Sequence, residues 1–76
     1  MSNGRELSIA LNNRGVVAAA QGDYSNAVAN FEEALAENPA DVVARDNLRL
    51  AQQRLAAVAE DGETLADASE DAQPKG

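Results

Sequence analysis

Ala18-Ala19-Ala20-Gln21-Gly22-Asp23-Tyr24 reads as the end of one helix and the beginning of the next. The alanines favour helix, and Gly22 suits the left-handed position that closes a helix C-terminus. Asp23 is a good N-cap for the helix that begins at Tyr24. Working outward, Ala27, Phe31, Ala34 and Leu35 recur at intervals of three and four, with Val28 alongside, and make one apolar face. Asn30, Glu32 and Glu33 take the other side. The helix is expected to run to about Glu37, because Pro39 disfavours helical geometry at Asn38.

On the N-terminal side, the apolar residues Leu7, Ile9, Leu11, Val16 and Val17 lead into the alanine run, predicting a helix from near Asn3 or Gly4 to Gln21. Asn3 can cap it, with Glu6 placed for a capping box. On the C-terminal side, Asp41 is the expected N-cap of a third helix. Leu48, Ala51, Leu55 and Val58 form its stripe, and Asp41 with Arg45 makes an acid-before-base pair one turn apart. Beyond Glu60 the periodicity fades. The fold class is therefore all-α: an antiparallel helical hairpin plus a third helix over residues 1–60, and an acidic, mostly disordered tail over 61–76.

Composition agrees. Of 76 residues only Tyr24 and Phe31 are aromatic, and there is no cysteine and no histidine. Disulfides, thiolate metal sites and the usual neutral-pH general base are thereby excluded. The net charge of −7 divides unevenly: residues 60–76 hold six acids and Lys75, giving −5, and residues 1–59 hold seven acids and five arginines, giving −2. A chain of this sign is expected to avoid nucleic acid and anionic membrane surfaces. No stretch approaches the roughly 20 apolar residues of a membrane span. The opening Met1-Ser2-Asn3-Gly4-Arg5-Glu6 lacks the basic-then-apolar layout of a secretory signal, so a cytoplasmic location is expected.

Asn12-Asn13-Arg14-Gly15, Gln21-Gly22-Asp23-Tyr24, Ala27, Phe31, Ala34-Leu35 and Pro39 together resemble one tetratricopeptide repeat, over roughly residues 8–41. Gly15, Ala27, Phe31, Ala34 and Pro39 correspond to the family's small, small, aromatic, small and proline sites. The resemblance implies that Gly15 and Ala27 lie where the two helices cross closest, that Phe31 fills the space beyond, and that Ala34 makes room for the following helix. The third helix then resembles the solvating helix that closes such arrays. Leu11 and Ala18 depart from the pattern, since the family often carries larger aromatics there; a looser hairpin is expected.

In arrays of this family the first helices of successive repeats line a concave groove for peptides. Transferred here, the groove residues are Ile9, Asn12, Asn13, Val16 and Ala19 on the first helix and Val43, Asn47 and Leu50 on the third. Asn13 and Asn47 occupy equivalent places, and their amides can donate to and accept from a bound backbone, or they are solvated asparagines. The branch that grips chaperone carboxylates uses lysines absent from these helices, and asparagine where Val16 stands. Arg45, Arg49 and Arg54 form either a contact face for an acidic partner or a solvated face.

No catalytic, cofactor-binding or metal-ligating set emerges: Asp23, Glu32 and Glu33 are capping or surface acids without a histidine, cysteine or metal companion. The expected function is a non-catalytic protein–protein interaction module, an adaptor or accessory subunit of a larger assembly, needing no cofactor. The alternative is a self-associating structural protein completed by homo-oligomerisation, through Leu48, Leu55 and Val58 or through Ile9 and Val16. Repeats of this kind bury a continuous core only by stacking, normally of about three units. One repeat and one helix fall short of that, which favours association with a protein or peptide partner or with further copies.

Overall fold

The computed structural model describes residues 4–75, with side chains for residues 4–59. Three helices follow in order: α1 Gly4–Ala20, α2 Tyr24–Glu37 and α3 Val42–Lys75. The expected Asn3 cap and the acidic tail over 61–76 lie outside the residues described to the side chain.

The two turns form as their chemistry dictates. Gly22 has φ +81°, the left-handed value. Its N–H donates to the Ala19 carbonyl at 2.9 Å, and the Asp23 N–H donates to the Ala18 carbonyl at 2.8 Å. This pair of bonds is a Schellman closure, which satisfies carbonyls that the end of α1 would otherwise leave open. Asp23 then caps α2, accepting from the Asn26 backbone N–H at 3.3 Å and from Asn26 Nδ2 at 2.6 Å. At the second turn the Asn38 N–H still bonds to the Ala34 carbonyl, and the Asp41 N–H returns to the Asn38 carbonyl at 3.0 Å. Asp41 accepts from the Ala44 N–H at 3.0 Å, and so caps α3 as expected.

Packing is closest between α1 and α2; α3 lies mainly on α2 and touches α1 less. The buried apolar residues among those described are Leu11, Ala18, Ala27, Phe31, Ala34, Ala44 and Ala51. Five of the seven are alanines, so the helices approach closely while little area is buried per contact. Two clusters result. Phe31 centres one, with Ala18, Ala27 and Ala51; Leu11, Ala34 and Ala44 make the other. Ala34 is fully buried in the second cluster beside Ala44, so it does make room for the third helix. Gly15 packs on Phe31 itself. A Cβ there would overlap the ring, 2.7 Å from Cδ1 and 2.8 Å from Cζ.

Two expectations are corrected. The inward stripe of α3 is Ala44, Leu48 and Ala51, with Leu55 half-buried and Val58 49 % exposed. Val58 stands a turn beyond Arg54, which already lies level with Tyr24 at the start of α2, so the hairpin has no surface left to cover it. Asp41 does not spend its carboxylate on Arg45 either. It accepts a hydrogen bond from Ser8 Oγ at 2.5 Å, and Arg45 is exposed.

Candidate functional site

α1 turns Ser8, Leu11, Gly15 and Ala18 inward, at intervals of three, four and three. That register fixes which of its other residues face outward. Ile9 and Val16 then lie on the side shared with α3, 57 % and 46 % exposed. On α3, the burial of Ala44 and Ala51 turns Val43 and Leu50 outward, 59 % and 50 % exposed.

Between α1 and α3 lies an open hollow of about 340 Å³. Val16, Ala19, Ala20 and Tyr24 form one side, Asn47, Leu50 and Arg54 the other, and Phe31 and Ala51 close the floor. Arg54 is the charged side chain in this lining. Its chemistry is thus mostly aliphatic, with an amide and a guanidinium at its border.

Asn12 and Asn47 bridge the two helices. Asn47 Nδ2 donates to Asn12 Oδ1 at 2.9 Å, and both residues are half-buried. The bond spends one half of each amide, leaving the Asn12 NH₂ and the Asn47 carbonyl as a donor and an acceptor side by side. This cross-link was not legible in the sequence, where Asn13 is the formal equivalent of Asn47. Asn13 borders a different hollow, of about 490 Å³, between α1 and α2, with Arg14, Gln21, Asn26 and Asn30. Of the expected groove residues, Val16, Ala19, Asn47 and Leu50 therefore share one hollow and Asn12 borders it through Asn47, while Ile9 and Val43 stand out on α1 and α3.

Ser8 is the buried polar residue that sequence reasoning missed, fully removed from solvent and bonded to Asp41. Its hydroxyl, followed by the Ala44 N–H, holds the Asp41 carboxyl below its ordinary range, with burial opposing the shift. The bond fastens α1 to the N-cap of α3. No group of acidic residues able to hold a metal ion occurs among the described residues. No helix among them is long and apolar enough to cross a membrane.

The structure is thus an all-α packing of helix on helix, a hairpin carrying a third helix with a mostly aliphatic hollow between α1 and α3. Residues 8–41, a little under half of the chain, match the family model of the tetratricopeptide repeat. The α1–α2 hairpin is thus similar to a single tetratricopeptide repeat, and α3 is a third helix packed on it. Repeats of this family are non-catalytic and generally mediate protein–protein interactions. No curated protein and no solved structure matches the chain.

Proposed function

We propose that the chain is an accessory, non-catalytic binding subunit whose α1–α3 face is covered by a protein partner. One observation supports this above the others. The large aliphatic side chains Ile9, Val16, Val43 and Leu50 are about half exposed on α1 and α3, while the core beneath is mostly alanine. Covering them adds on the order of 1 kcal/mol per side chain, which is substantial for a small domain with so few large buried residues. The Asn12–Asn47 pair offers a donor and an acceptor within that face, which gives a polar register to an otherwise aliphatic contact.

The test is capture of partners by the full chain, compared with Val16→Glu and Leu50→Glu. Both residues are exposed, so the variants should keep the wild-type helical signal. The expected result is a partner lost by both variants and retained by a control such as Ser25→Ala on the exposed side of α2. Equal capture by wild type and both face variants would overturn the reading.

A further inference from the structure

We propose that this face pairs with a second copy of the chain, the two α3 helices lying antiparallel across a twofold axis at Leu50. The proposal rests on the reading above and names the partner. Val43, Leu50 and Ala57 follow one another at heptad spacing along α3, and all three are exposed. One turn before Leu50 stands Asp46 and one turn after it stands Arg54, both also exposed. An antiparallel twofold places Leu50 against Leu50 of the second copy. It also sets Asp46 opposite Arg54 of that copy, twice over, so that one patch is complementary to itself.

Charge decides the direction. A parallel arrangement would oppose Asp46 to Asp46 and Arg54 to Arg54. Exposed ion pairs contribute little affinity, but they fix orientation and register. Affinity comes instead from the aliphatic centre, where Leu50 of the second copy meets Leu50 and the Val16 edge of the hollow.

The experiment is sedimentation of the full chain over a range of concentrations, at low and high salt. The expected result is a reversible shift from one copy to two. Leu50→Glu should raise the dissociation constant by about tenfold or more, with the helical signal unchanged. Asp46→Arg and Arg54→Asp should each weaken pairing by about tenfold, and the double variant should recover it because the charges are again opposed. A monomer at every concentration, a dimer indifferent to Leu50→Glu, or a double variant no tighter than the single ones would each overturn the proposal. A monomeric chain that still loses a captured protein on Val16→Glu would remove self-pairing and leave the partner-binding reading standing.

Discussion

Ser8 Oγ donates a hydrogen bond to Asp41 Oδ2 at 2.5 Å, joining residues 33 apart in sequence and linking the buried side of α1 to the N-cap of α3. Ser8 is fully buried, and its hydroxyl needs this partner. Asp41 gains a second hydrogen-bond donor beyond the Ala44 N–H, so one carboxylate both starts α3 and anchors it to the hairpin.

Ser8→Ala should therefore destabilise the fold by about 1 kcal/mol near neutral pH, the net value of a hydrogen bond offset in part by alanine's better helix propensity. The pH dependence has a definite sign. Asp41 is held below its ordinary pKa, so the folded protein binds that proton less readily than the unfolded chain does. Its contribution is complete above the unfolded carboxylate value and drains away as pH falls through that value to the folded one. Urea unfolding of wild type and Ser8→Ala should differ most near pH 7 and converge in acid. A difference that stays constant with pH would count against an ionic Asp41 as the acceptor.

The two glycines of the hairpin should respond to alanine for different reasons. At Gly15, helix propensity alone would reward alanine by about 1 kcal/mol. The overlap of the new Cβ with the buried Phe31 ring outweighs this, and a net loss of roughly 1–2 kcal/mol is expected. At Gly22 nothing lies within 4 Å of the new atom, so the cost is backbone strain at φ +81°, about 1 kcal/mol. The two are separable by coupling to Phe31→Leu. That change should partly relieve Gly15→Ala and should simply add to Gly22→Ala, in thermal unfolding of all the single and double variants.

The helix ends were legible because the residues that make them act locally. Gly22, Asp23, Pro39 and Asp41 each perform at the turn the task their side chains or rings dictate, and α2 falls at Tyr24–Glu37 as expected. Periodicity alone did not show the inward face of α1, although the family resemblance did place Gly15 at the helix crossing. That face consists of Ser8, Leu11, Gly15 and Ala18, of which one is a large hydrophobic, whereas Leu7, Ile9, Val16 and Val17 point outward. Hydrophobic periodicity assumes that the largest apolar residues lie inside, and here the close approach of helices selects the smallest. The Asn12–Asn47 bond escaped for a related reason. Equivalence between successive helices pairs Asn13 with Asn47, but the crossing of α1 and α3 brings the neighbouring Asn12 within reach instead.

Asn12 and Asn47 should be energetically coupled even without a bound partner. Each single alanine variant leaves one half-buried amide without its protein partner, while the double variant removes both. A double-mutant cycle on unfolding is expected to give about 0.5–1.5 kcal/mol of coupling. The same cycle with Asn13 in place of Asn12 should give a value near zero, because Asn13 borders the other hollow. Coupling through Asn13 would mean that α3 sits elsewhere on the hairpin.

Ala34 provides the sharpest check on how α3 is seated. It is fully buried among Leu11, Ala44 and the half-buried Leu35, at the place where α1, α2 and α3 come together. Since Ala44 has no flexible side chain to give way, Ala34→Leu must lift α3 or displace Leu11, at a cost of about 1–3 kcal/mol. Lifting α3 would also stretch the Ser8–Asp41 bond. The variant should therefore lose part of the extra acid sensitivity that separates wild type from Ser8→Ala, besides losing stability. Ala29→Leu on the exposed side of the same helix should change stability by no more than about 0.5 kcal/mol. If Ala34→Leu were equally neutral, α3 would not rest on the hairpin at Ala34, and the hollow it forms with α1 would lose its support.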